Sequence, residues 1–141
     1  MKGALYAESS AIVRMFVEGD ALLRARLVKA PRVVTSSLME TEVRRALLRA
    51  GHEHRFHPRD VREAEARFHS FLRDCDVVGV TDEILARAAQ EFPIEPVRTL
   101  DAVHLASALY WHDLIGSLTM VSCDDRVRQN AKALGWKVLP A

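Results

Sequence analysis

Leu100-Asp101-Ala102-Val103-His104-Leu105-Ala106-Ser107-Ala108-Leu109 is apolar on most sides of a helix drawn through it. A surface helix confines its apolar residues to one stripe. This helix, expected from Leu100 to about His112 behind a Thr99 cap, therefore belongs inside the fold. The chain alternates in both directions from it. After it come a strand from Leu118 to Ser122, a helix opened by Asp124 or Asp125 and ending at Leu134-Gly135, and a last short strand from Trp136 to Leu139. Before it come Leu5-Tyr6-Ala7, Val33-Val34-Thr35 and Val77-Val78 with Val80 around Gly79, each short, apolar and β-branched or aromatic enough to read as a strand.

Helices fill the intervals. Ser9 or Ser10 is expected to cap one running to about Gly19, with Ile12, Val13, Phe16 and Val17 on one side, and Asp20 to cap a second ending near Lys29. Ser36 or Ser37 caps a third, whose stripe is Met39, Val43, Ala46, Leu47 and Ala50, and Gly51 is expected to stop it. After a loop over 51–57, Pro58 suits the first turn of a long polar helix to about Arg73. Asp82 is expected to cap a helix to about Phe92, and Pro93 and Pro96 hold an extended link. Strands alternating with helices predict an α/β protein with a central, mostly parallel sheet flanked by helices.

A length of 141 residues suits one domain spanning 1–141, and 49% apolar residues are enough for its core. The net charge of +1 argues against a wholly basic nucleic-acid binder. The charge is uneven, however: residues 1–50 carry 9 Lys or Arg against 5 acids, which makes that third the face for a phosphate backbone. Aromatic residues at 6% argue against extensive base stacking. Cys75 and Cys123 are no disulfide framework and read as free thiols in a reducing cytoplasm. The first twenty residues are interrupted by Glu8, Arg14 and Glu18, so neither a signal peptide nor a membrane span is expected there.

In open α/β sheets, ligands gather beyond the carboxyl ends of the strands. Four acids fall at such places: Glu8 after the first strand, Glu42 on the helix after the second, Asp101 in the first turn of the buried helix, and Asp124 after the strand Leu118–Ser122. Four carboxylates brought to one edge repel one another unless a cation neutralises them. An all-oxygen site suits Mg²⁺ or Mn²⁺, which can activate water for phosphodiester cleavage. Each acid also has a local explanation. Asp101 and Asp124 sit at helix starts, Glu42 precedes Arg45 by three residues, and Glu8 can cap.

Four blocks of the chain resemble PIN-domain toxins of the VapC type. Leu5-Tyr6-Ala7-Glu8-Ser9-Ser10-Ala11-Ile12-Val13 resembles a Tyr-x-Asp-x-Ser-Ala-Leu opening. Thr35 to Leu47 is similar to Ser-x-Leu-x-x-x-Glu-x-x-Arg-Ala-Leu. Leu100 to Leu109 resembles Leu-Asp-Ala-x-His-Leu-Ala-x-Ala-Leu. Val121-Ser122-Cys123-Asp124-Asp125-Arg126, with Ala131 to Gly135 beyond, resembles a Thr-x-Asp-x-Arg ending. The blocks stand in family order over nearly the whole chain. The resemblance implies a PIN-like fold and metal ligands and catalytic acids at Glu8, Glu42, Asp101 and Asp124, with Ser122 supporting them. It further implies Mg²⁺- or Mn²⁺-dependent cleavage of RNA, a cognate antitoxin partner and a homodimer.

One position departs from the pattern: the first acid is Glu8, where the family has Asp. The arm is one methylene longer. That opens a second reading, a PIN-fold module that binds RNA or a partner with impaired catalysis. A receiver domain lacks its lysine after a late strand, and a nucleotide-cofactor enzyme lacks its glycine-rich loop. His52, His54 and His57 read as a solvated loop or a zinc site, and Asp125 as a fifth acid or an exposed helix start. His104 reads as a packing histidine bonded to a backbone carbonyl or as a general base. Arg14, Arg44, Arg45 and Arg49 read as phosphate holders or as a solvated helix face.

Overall fold

The computed structural model describes residues 3–141; Met1 and Lys2, the start of the expected domain, lie outside the described residues. Among the described residues five strands form one sheet, β1 (Ala4–Ala7), β2 (Val33–Ser36), β3 (Asp76–Val78), β4 (Leu118–Val121) and β5 (Lys137–Leu139), flanked by seven helices. The order is β3-β2-β1-β4-β5 and every pairing is parallel. Four helices pack on one face: α1 (Ser9–Phe16), α2 (Ala21–Val28), α3 (Ser37–His52) and α4 (Pro58–Arg73). Three pack on the other: α5 (Asp82–Ala88), α6 (Thr99–Ile115) and α7 (Asp125–Ala133).

Both faces of the sheet are covered, and the strands alternate accordingly. Ala4, Tyr6, Val34 and Met120 pack with α5, α6 and α7, whereas Ala7, Val33 and Val121 pack with α1 to α4. The two-residue period sends neighbouring side chains to opposite cores. That is why these strands read as unbroken apolar runs. Helix α6 is the buried helix of the sequence reading: Ala102 through Ala108 and Trp111 are all buried. The Trp111 indole N–H donates to the Thr35 carbonyl at 3.0 Å, and Gly116, at φ 90, ends the helix in a left-handed turn that an L side chain would strain.

Several boundaries differ from the sequence reading. Glu8, not Ser9 or Ser10, caps α1: its longer arm reaches the Ser10 N–H, and both serines fall inside the first turn. Helix α1 ends at Phe16, and Asp20 caps α2 as expected. Helix α3 runs through Gly51 to His52, because packing against α4 carries it past a residue with weak helix propensity; the left-handed position in the connection is His54, at φ 56. Strand β3 stops at Val78. Val80 lies exposed at the centre of a turn that the Thr81 N–H closes by donating to Gly79 C=O, and Thr81 rather than Asp82 caps α5, which ends at Ala88 rather than Phe92. Helix α6 starts one residue early, behind Arg98, with no side-chain cap.

The extended link before α6 is held by a residue the sequence did not flag. Asn130, fully buried on α7, accepts from Ile94 N–H at 2.9 Å. It donates at 3.0 Å to the carbonyls of Ile94 and Arg126. Glu95 accepts from the N–H groups of Phe92 and Val97 within the same link. Asn130→Ala leaves two polar groups of Ile94 without partners. Urea unfolding is expected to show a loss of about 2–3 kcal/mol at unchanged m-value; a loss within error of zero would mean that the link does not depend on this clasp.

Candidate active site

The strand order reverses between β1 and β4. The first half of the chain lays β2 and β3 to one side of β1, and the second half lays β4 and β5 to the other. Helices leaving the two central strands diverge there and open a crevice at the carboxyl edge. Glu8 follows β1 directly, and its backbone N–H donates to Val121 C=O at 3.0 Å, so the ends of the two central strands are stitched together. Ser122, Cys123 and Asp124 leave β4 beside it. Glu42 reaches the same edge from the second turn of α3, and Asp101 from the first turn of α6. One cavity of about 930 Å³ is lined by Glu8, Glu42, Asp101 and Asp124 together. The structure thus brings all four predicted acids to one place.

Their bonding differs. Glu8 is buried and heavily engaged: Oε1 accepts from the hydroxyls of Ser10 and of Ser122 (2.6 Å for the latter), and Oε2 accepts from Ser10 N–H at 3.0 Å. Asp124 caps α7, its Oδ1 accepting from Val127 N–H at 2.9 Å. Asp101 accepts no hydrogen bond among the described residues and is half-buried. Glu42 Oε1 accepts from Ser9 Oγ at 2.6 Å and lies 2.6 Å from His104 Nε2, while its Oε2 accepts none among the described residues. Ser122, the expected supporting residue, is fully buried; besides donating to Glu8 it accepts from Asp124 N–H at 3.0 Å. Ser10 joins them, accepting from Cys123 N–H at 2.8 Å.

Burial, and then the charges of Asp124 and Glu8, push the Asp101 carboxyl up to about 6 from 3.8. It is the least compensated acid of the four. Burial also raises the Glu42 carboxyl, but the hydrogen bonds from His104 and Ser9 outweigh it and leave the group below its ordinary value. Among the described residues no three imidazole, thiol or carboxylate groups are gathered closely enough to grip an ion as they stand. The donor set nonetheless suits a hard cation: four carboxylates line one cavity, and one has its proton affinity raised by burial and then by the charges of the others.

The surrounding residues sort themselves by position. Arg14, Arg45 and Arg49 line the acid cavity. Arg44 does not: it pairs with Glu40 at 2.9 Å and stacks over Phe68. Asp125, exposed at the start of α7, lines a second cavity of about 770 Å³ that shares Asp101, Cys123 and Asp124 with the first. His57 caps α4 through Nδ1, and His52 and His54 lie exposed around the α3–α4 turn, so the three histidines form no cluster. His104 departs from the expectation of a histidine held by a backbone carbonyl. It is buried, bonded not to a backbone carbonyl but to side chains of the site, and only its spacing of one turn from Asp101 hinted at this.

The PIN domain family profile matches residues 5–133. Ribonuclease VapC46 of Mycobacterium tuberculosis (strain ATCC 25618 / H37Rv) is 40% identical over 139 residues, which cover 96% of each chain. Ribonuclease VapC45 of Mycobacterium tuberculosis (strain CDC 1551 / Oshkosh) is 30% identical over 97% of this chain and 95% of its own. Among solved structures, a toxin–antitoxin complex from Klebsiella pneumoniae is similar at a TM-score of 0.64 and 19% identity, covering 99% of this chain and 98% of that one. PAE2754 from Pyrobaculum aerophilum is similar at a TM-score of 0.62 and 20% identity, covering 97% and 83%. The two structures speak for the fold, and the full-length sequence relatives for descent. The chain belongs to the PIN-domain family, in its VapC-type branch.

Proposed function

We propose that this chain is a divalent-metal-dependent endoribonuclease and the toxin of a toxin–antitoxin pair. The observation that carries the reading is the convergence of four carboxylates on one crevice, with Asp101 held near 6 by burial and by its neighbours' charges. The relatives named ribonucleases support the same reaction. Mg²⁺ or Mn²⁺, when bound, would neutralise the acids and lower the pKa of a water that attacks the phosphodiester. Asp101, Asp124 through Oδ2 and Glu42 through Oε2 have carboxylate oxygens without hydrogen bonds among the described residues, and would hold the ion. Glu8 completes the negative field, with Ser10 and Ser122 restraining its carboxylate. Arg45 and Arg49, in no ion pair among the described residues, would take RNA phosphates along the α3 wall of the cavity.

The second reading, a PIN-fold module with impaired catalysis, has one observation in its favour. Both oxygens of Glu8 are already accepting hydrogen bonds, and its arm is longer than the Asp usual there. A protein partner, the cognate antitoxin, suits the apolar side chains left bare on α2, where Leu22 is 84% and Val28 71% exposed. Pairing with a second copy of the chain and residence in the cytoplasm belong to the toxin reading; among the described residues no helix is long and apolar enough to cross a membrane.

Cleavage of a mixed RNA substrate is expected with Mn²⁺, to stop in EDTA, and to fall at least about 100-fold in Asp101→Asn. Glu8→Asp is expected to cut faster if the extra methylene misplaces the carboxylate, by as much as about 100-fold for a displacement near 1 Å. A silent chain whose Glu8→Asp variant cuts would establish the impaired reading. Cleavage that persists in EDTA and in Asp101→Asn would dismiss the metal-dependent one.

Stability gives a second measurement. The unfolded chain releases the Asp101 proton near 3.8 and the folded chain near 6. Between those values the folded state holds more protons, so stability falls as pH rises through the window and stays lower above it. Asp101→Asn is therefore expected to raise Tm in EDTA at pH 7.5, with the gain shrinking as pH falls from about 6 to about 4. Mn²⁺ is expected to raise the wild-type Tm more than that of the variant. Equal melting of the two proteins at every pH would show that Asp101 carries no electrostatic penalty.

A further inference from the structure

Behind Glu42 runs a buried chain of hydrogen bonds through three elements. Tyr6 on β1 is fully buried, and its hydroxyl lies 2.8 Å from His104 Nδ1, the two rings meeting edge to face. His104 on α6, also buried, turns Nε2 to Glu42 Oε1 at 2.6 Å and to Ser9 Oγ at 2.9 Å. Ser9 donates its own hydroxyl proton to the same Oε1. The trio of Ser9, His104 and Glu42 is not a nucleophilic triad. In such a triad the serine and the acid occupy opposite ring nitrogens. Here both crowd Nε2, and Ser9 is buried with its proton given to the acid.

The proton positions follow from two sides. A ring nitrogen 2.6 Å from an oxygen of an ionised carboxylate must carry a hydrogen, so Nε2 is protonated and donates to Glu42. Nδ1 has the Tyr6 hydroxyl as its one hydrogen-bond partner among the described residues. Burial, and then the Glu8 charge, keep the Tyr6 phenol protonated, and its O–H is the donor within reach. We infer that Tyr6 and His104 are positioning residues for Glu42: the Tyr6 hydroxyl fixes the Nε2–H tautomer of His104. His104 with Ser9 then anchors Oε1, so that Oε2 is the oxygen left for the acid-lined cavity. The inference rests on the proposed reaction for its purpose and on the hydrogen bonds alone for its geometry. A glutamate has three side-chain torsions to order. Anchoring one oxygen beforehand removes that ordering from the working step, and fixing the ring's tautomer through its far nitrogen is how such supports act.

The test joins spectroscopy with kinetics. Long-range ¹H–¹⁵N spectra of the metal-free protein are expected to show His104 with a bare, hydrogen-bonded Nδ1 and a protonated Nε2; Tyr6→Phe, which removes one oxygen from an otherwise unchanged core, is expected to shift the Nδ1 resonance. Tyr6→Phe should lower kcat on RNA about 10-fold and leave KM within about twofold. His104→Leu should cost about 100-fold. His104→Gln, whose amide N–H can stand where Nε2 stands, should recover most of that loss, and His104→Asn, too short to reach, should not. Far-ultraviolet circular dichroism and Tm establish that each variant is folded. Wild-type kcat and unshifted His104 resonances in Tyr6→Phe would overturn the inference, as would a His104→Gln variant no better than His104→Leu. If the wild-type chain cuts no RNA offered, the ribonuclease reading fails separately. The spectra and Mn²⁺ affinity then decide: several-fold weaker Mn²⁺ binding in Tyr6→Phe upholds the anchoring of Glu42, and equal affinity overturns it.

Discussion

The parallel pairing of β1 with β4 is the contact on which the site depends. It sets Ala7 opposite Val121 and leaves the Glu8 N–H bonded to the Val121 carbonyl, so the chain leaves both central strands at one level. The helices that follow have to diverge, because the strand order reverses there, and the divergence is the crevice. Acids on α3 and α6 reach it only because those helices lie on opposite faces of the same sheet. Ser10 and Ser122 add a polar stitch above the backbone one, both donating to Glu8, with Cys123 N–H donating in turn to Ser10. A one-residue slip between β1 and β4 would exchange the two cores' side chains and separate Glu8 from Ser122.

Local chemistry made much of this legible in advance. Short apolar runs, a helix cap at Asp20 and Pro58 at a helix start are decided within a few residues, and the structure has each of them; of the pairs Ser36 or Ser37 and Asp124 or Asp125, it uses Ser36 and Asp124. The meeting of the acids was legible because Glu8 and Asp124 come just after strands, Asp101 lies in the first turn of α6, and Glu42 lies on the helix that leaves β2. Misreadings came where tertiary packing overrode a local signal. Gly51 does not stop α3, since α4 packs along it; Val80 continues an apolar run but has no partner strand and falls into a turn. At the start of α1 a glutamate took the place of a serine cap because its arm could reach.

His104 and Asn130 were the residues least accessible to reading. His104 meets Tyr6 across 98 positions and Glu42 across 62, and no spacing rule relates residues so far apart. A histidine in an apolar helix signals only that some polar partner exists. Asn130 looks like any polar residue on the outer face of a short helix, and only its burial reveals that it replaces a missing strand partner for the link at Ile94. Long-range polar contacts of this sort follow the fold and are settled only once the layers are in place.

The Asn130 clasp also couples two of the acids mechanically. Asp124 caps α7, and the same helix grips Ile94, seven residues before Asp101, through both of that residue's backbone groups. Link, α7 and the first turn of α6 thus behave as one bracket. The clasp leaves the chain between Ile94 and Asp101 little slack with which Asp101 could shift against Asp124. Ser122 ties the same Asp124 to Glu8, accepting from the Asp124 N–H and donating to the Glu8 carboxylate, so the bracket is joined to the end of β1 and three of the four acids stand on one connected frame. Amide exchange in the bracket would then proceed as a single cooperative opening.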